Sequence, residues 1–221
     1  MIRLGKVAGA PIILTGNLLL YAGIYILITL MQSGVEPAFM TLLGIVAVAT
    51  CVLLHEIGHV LAAKRYGIRP INITLNFFGG IASNDPNDWR TLMDRPGRSA
   101  LIWFCGPLVN ILIALALTPI IMYCPVPAIT SALSWVRTFN LGMAVFNLLP
   151  IYPMDGGGIL YSFLRMVTTK ARAIRVTSVI GIIGAIGLLA LAIYLKAFVM
   201  GIIAVFILVS AAQAPKSGLF Q

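Results

Sequence analysis

Apolar residues run along the chain in six blocks, each close to the roughly 20 residues a helix needs to cross the hydrocarbon core of a bilayer. Polar residues gather in the gaps between them. The pattern predicts membrane-spanning helices over about 11–31, 38–63, 99–122, 131–149, 175–195 and 197–213. One gap reads differently. In IRPINITLNFFGGIAS, β-branched and aromatic residues stand between Pro70 and the Gly79–Gly80 pair, which predicts a β-hairpin or an extended edge. Asp85, Asp88 and Asp94 follow in a polar stretch that reads as solvated loop. Gly181, Gly184 and Gly187 recur at three-residue intervals in the fifth block and predict close helix packing.

Composition agrees with the pattern. Sixty per cent of the 221 residues are hydrophobic and only 10% are charged, against about 25% in soluble domains. The net charge of +9 does not point to nucleic acid, because the basic residues are scattered between apolar runs with no basic tract or aromatic interleaving. Positive-inside topology accounts for them instead. Of the 15 Lys and Arg residues, all but Arg137 and Lys196 fall on one side of the predicted spans, which assigns that side and both termini to the cytoplasm. The fold expected is therefore an all-α polytopic membrane protein of about six transmembrane helices. A short β-hairpin or extended segment lies in the cytoplasmic loop after the second helix. The basic start resembles a signal peptide, but the apolar run behind it is too long and lacks a small-residue cleavage site, so it reads as an uncleaved first helix. Residues 215–221 read as a tail. Cys51, Cys105 and Cys124 give neither a disulfide framework nor a CxxC metal pattern.

Against this background the ionisable groups inside the spans stand out. His55 and His59 are the only histidines, and four-residue spacing in a helix stacks them on one face, where both imidazoles can bind one metal ion. Glu56 follows His55 and lies about 100° further around the helix. From there it can take a proton from a metal-bound water. At about 1.5 Å per residue, the pair sits about 7–14 Å below the cytoplasmic end marked by Lys64. A charge near the bilayer centre costs roughly 2.5–3.5 kcal/mol on insertion scales, so an HExxH register in a lipid-embedded helix is far more specific than the same register in a soluble one.

Tetrahedral zinc needs a third protein ligand. Among the six acids, Glu36 lies on the wrong side, and Asp85, Asp88 and Asp94 sit in the solvated loop. Asp155 stands in FNLLPIYPMDGGGIL, where prolines and glycines break the chain at the cytoplasmic end of the fourth span. Such broken backbone is tolerated only against protein or a wet cavity, and Asp155 is the ligand the sequence favours. Asn110 and Asn147 read equally as interhelical glue or as donors to a developing oxyanion. Cys51 shares the face of His55, but a fourth ligand would close the site, so a small packed residue is expected there.

Taken together, these residues resemble the site-2 protease family of intramembrane zinc metalloproteases. The resemblance rests on HEIGH at 55–59, FFGGIA at 77–82, GPLVN at 106–110 and NLLPIYPMDGG at 147–157. It covers a core of about 38–160. It implies His55, His59 and Asp155 as ligands of one Zn2+ per chain and Glu56 as the catalytic acid/base. Asn147 matches the motif asparagine that supports the site, and Asn110 matches a polar position on the third span. The family holds substrate on an extended strand near the glycine pair, which implies Ile73, Leu75, Phe77, Gly79 and Gly80 as substrate-binding residues. A proline often precedes the glycines in the family; LNFFGG has none.

The loop after the second span is too short for the family's PDZ insertion, so residues 1–214 are expected to form a single transmembrane metalloprotease domain, a minimal core. The partners implied are transmembrane protein substrates and membrane lipid, with no nucleic acid, in the plasma membrane of a prokaryote. The active site is expected near the cytoplasmic side, and the sequence leaves the oligomeric state open. The alternative is a divalent-metal transporter with an intramembrane His/Asp/Glu site. It does not explain the base beside the metal, and the outer half of the spans has almost no polar groups.

Overall fold

The computed structural model describes residues 1–76 and 79–214, apart from the side chain of Met93. The backbone divides into two compact units, Met1–Asp85 with Leu108–Ala144, and Pro86–Pro107 with Val145–Gln221.

The chain opens with a hairpin of β1 (Ile2–Val7) and β2 (Ala10–Leu14). Ala8 and Gly9 both have positive φ, 55° and 99°, as a two-residue turn matched to strand twist requires. Next come α1 (Gly16–Ser33) and α2 (Val35–Arg65), separated only by Gly34, whose φ of 91° turns the chain. The second pair of strands is β3 (Pro70–Asn76) and β4 (Gly79–Asn84). Together they make one sheet in the order β1-β2-β3-β4, with β2 and β3 parallel and the other pairs antiparallel.

The sheet packs on α2. Val60 of the helix is buried with Ala10, Ile73 and Leu75, and Val52, Leu53 and Ile57 pack around them. Two polar ties fix the geometry. The Thr15 backbone N–H and hydroxyl both donate to the Leu75 carbonyl at 3.0 Å, so the start of α1 is tied to β3. Lys64 Nζ donates to the Ala8 carbonyl at 2.9 Å, joining the hairpin turn to the end of α2. That end is closed by Gly67, with φ of 81° and its N–H on the Lys64 carbonyl.

The remaining helices are α3 (Pro86–Met93), α4 (Pro96–Tyr123), α5 (Pro127–Leu148), α6 (Asp155–Val167), α7 (Lys170–Tyr194) and α8 (Phe198–Gln213). In the second unit α7 and α8 pair closely, with the Ser178 hydroxyl donating to the Ala211 carbonyl at 2.7 Å. Ile151 is buried with Ala185 and Ile207.

The chain is an integral membrane protein by its apolar helices. Among the described residues, α1, α2, α4 and α7 are long and apolar enough to cross a membrane, and α8 is a shorter apolar helix. Two expectations change. Residues 11–14 belong to β2 and not to the first span, because pairing with β3 satisfies the backbone of a segment whose apolar composition alone reads as helix. The polar stretch after the second hairpin is helical where Asp88 stands, in α3. A further helix, α6, starts at Asp155 itself.

Truncating Ile73, fully buried where the sheet meets α2, should cost about 2–5 kcal/mol of stability. Thermal unfolding of Ile73→Ala in detergent measures it.

Candidate metal centre

Helix α2 presents the two imidazoles one turn apart. Their ring centroids are 4.8 Å apart at an interplanar angle of 81°, and Nε2 of His55 lies 3.2 Å from Nε2 of His59. Two nitrogens bound to tetrahedral zinc at 2.0–2.1 Å stand about 3.3 Å apart. The spacing therefore fits one shared ion. A zinc site of this kind takes a third protein ligand and leaves a fourth position for water.

Asp155 is the first residue of α6 and is buried. The residues after it are small because the chain is crowded there. A methyl group at Gly158 would overlap the indole of Trp103, and one at Gly156 would overlap the carbonyls of Leu148 and Leu149. Further along α6, the hydroxyls of Ser162 and Ser99 meet at 2.9 Å. The segment before Asp155 is seated on α7, where Ile151 fills the space that a side chain at Gly184 would need. The glycine stripe of α7 thus receives this segment at Gly184 and packs on Ala211 of α8 at Gly181. Gly187 faces open space.

Glu56 is buried on the helix that carries both imidazoles, and β4 reaches it. A Cβ placed on Gly80 would overlap the Glu56 side chain, 2.7 Å from Oε1. Gly79 opens the strand with a φ of 134° that L side chains rarely adopt. The glycine pair lets the outer strand approach the carboxylate.

Behind His55 lies a chain of buried amides. His55 Nδ1 is 2.6 Å from Asn110 Oδ1, and Asn110 Nδ2 donates to Asn140 Oδ1 at 2.8 Å. Asn140 Nδ2 donates to the Val136 carbonyl at 2.9 Å and to Cys51 Sγ at 3.1 Å. Asn110 thus sits on the Nδ1 side of the ring, away from the Nε2 edge shared with His59. Cys51 packs in this chain, as expected for a residue that leaves the coordination shell open. Asn147 is half-buried in the last turn of α5. Sequence reading missed Asn140, although the reasoning that flagged Asn110, a polar group inside an apolar span, applies to it equally.

The substrate-binding expectation changes most. Ile73 and Leu75 are buried in the cluster against α2, and β3 is paired on both sides, to β2 and β4. Its side chains and backbone are already used. Phe77 lies outside the described residues. Gly79 and Gly80 belong to β4, the outer strand of the sheet.

Residues 43–134 and 125–191 match the sequence profile of peptidase family M50, and the chain belongs to that family. It is 31% identical over 183 residues to a zinc metalloprotease of Methanocaldococcus jannaschii, which covers 81% of this chain and 50% of that protein. It is 32% identical over 111 residues to stage IV sporulation protein FB of Bacillus subtilis, which covers 50% of this chain and 36% of that one. The backbone is similar to the solved site-2 protease from Methanocaldococcus jannaschii, with a TM-score of 0.70 at 26% identity over 98% of this chain and 95% of the other. The chain spans about half the length of the curated relatives it matches. The paired imidazoles of His55 and His59 fit the zinc in the name of the Methanocaldococcus relative.

Removing the carboxylate with Asp155→Ala should lower bound zinc well below one per chain. Cys51→Ser should keep it at one, since the sulfur only accepts from an amide. Elemental analysis of the purified proteins decides both.

Proposed function

We propose that this chain is an intramembrane zinc metalloendopeptidase that hydrolyses peptide bonds within or near transmembrane segments of membrane-protein substrates. The observation that carries the reading is Glu56: a buried carboxylate on the helix that carries both imidazoles, touching the outer strand of the sheet. A metal carrier has no use for a base at that position, and nothing in the comparisons favours the transporter alternative.

In this reading His55, His59 and Asp155 hold the ion. Zinc, when bound, supplies an activated water and a Lewis acid for the scissile carbonyl. Glu56 takes the proton from the attacking water and returns it to the leaving amine. Asn147, in the last turn of α5, is the candidate donor to the developing oxyanion. The outer edge of β4 pairs with an unwound stretch of substrate by strand addition, which brings the scissile bond beside Glu56. A helical substrate keeps its carbonyls in backbone hydrogen bonds, so it must unwind before it is cut.

The finer topology belongs to the same proposal. α5 and α8 join the four long apolar helices to make six spans, and residues 1–214 act as one catalytic domain. Both termini and the site lie toward the cytoplasmic side of a prokaryotic plasma membrane. The sorting of Lys and Arg residues supports this orientation.

Glu56→Gln should retain zinc and lower cleavage of a membrane-embedded reporter by about 10²–10⁴-fold. Undiminished cleavage would remove Glu56 as the base. Stiffening the reporter helix with leucines around the cut should slow cleavage by the parent, and an unchanged rate would rule out the unwinding step.

A further inference from the structure

We propose that the backbone carbonyl of Val136 determines which nitrogen of His55 faces the metal, acting through two buried amides. Asn110 and Asn140 are then positioning residues for a zinc ligand. The inference rests on the reading of His55 as a ligand and adds to it the device that orients the ring.

The argument is one of hydrogen-bond direction. A carbonyl oxygen can only accept. The Val136 carbonyl lies 2.9 Å from Asn140 Nδ2, and Cys51 Sγ takes a second contact from the same nitrogen at 3.1 Å. The NH2 end of Asn140 is thereby fixed, and its Oδ1 points the other way, 2.8 Å from Asn110 Nδ2. Turning the Asn110 amide over would set oxygen against oxygen. Asn110 must therefore present Oδ1 to His55, at 2.6 Å from Nδ1. Facing an acceptor, Nδ1 must carry the proton. A neutral imidazole with its proton on Nδ1 has its lone pair on Nε2, the atom that stands 3.2 Å from Nε2 of His59.

Burial makes the chain of directions binding. Asn110 and Asn140 are both 0% exposed, so an amide facing the wrong way carries the cost of an unmet buried group. Many zinc histidines are oriented by a carboxylate, which accepts whichever way it turns. A second buried charge at this depth is costly. An amide avoids that cost but has two unlike ends, so it needs an anchor of fixed polarity. Val136, one turn before Asn140 on α5, provides it.

The test is a double-mutant cycle on the full chain in detergent, with zinc affinity read by chelator competition. The four proteins are the parent, Asn140→Leu, Asn110→Asp and the double variant. Asn140→Leu should weaken zinc binding about 10–100-fold in the parent. In the Asn110→Asp background it should change binding by less than about threefold, because a carboxylate accepts from Nδ1 without help from Asn140. An equal loss in both backgrounds, or no loss in the parent, overturns the relay and reduces the amides to packing.

A second measurement needs no variant. The chain has two histidines, so ¹⁵N-histidine spectra of the zinc-loaded protein should show the His55 proton on Nδ1. A proton on Nε2 overturns the proposal. A parent that binds no zinc overturns the metal reading itself, an outcome distinct from the other two.

Discussion

The Nε2 atoms of His55 and His59 face each other 3.2 Å apart. A proton or a cation between them joins the two rings, and what lies behind the rings sets where that junction falls. The i, i+4 spacing on α2 sets their separation, and the amides of Asn110 and Asn140 grip His55 from the rear. The sheet bears on the same helix through Val60, Ile73 and Leu75. Much of the first unit can be read as support for that one pair of rings.

The second unit solves a different problem. It must put a carboxylate on a broken segment in a defined place, and it does so by removing side chains. Gly156, Gly158 and Gly184 each mark a point where another part of the same unit has come too close for a Cβ. Ile151 seated on α7 and Ser162 against Ser99 then fix the turn from both flanks. A carboxylate on an exposed loop would have the right chemistry and no fixed position.

The site was more legible in the sequence than the fold around it, for a physical reason. Polar groups in an apolar helix are rare because each is costly, so His55, Glu56, His59 and Asn110 announce themselves against an almost silent background. Asp155 is singled out because few acids are available. The N-terminal strands were not legible. Ala10–Leu14 is apolar whether it lies in lipid or pairs with a strand some sixty residues further on, and composition cannot separate the two. The error over Ile73 and Leu75 has the same root. The β-branched and aromatic residues before the glycine pair show that a strand is present, but whether it is an inner or an outer strand depends on β2, whose apolar residues read as helix. Asn140 is a different case, since it could have been found.

Helix α1 buries none of its residues. It is secured at its ends, by Thr15 on the Leu75 carbonyl and by the abrupt reversal at Gly34. One face of it, Leu18, Ala22, Ile26 and Thr29, is half-buried, and the other positions are exposed. Its midsection is therefore the natural place for a fluorophore, a spin label or a photo-crosslinker. A probe there would report on the surrounding lipid without touching the paired rings of α2 or the sheet behind them.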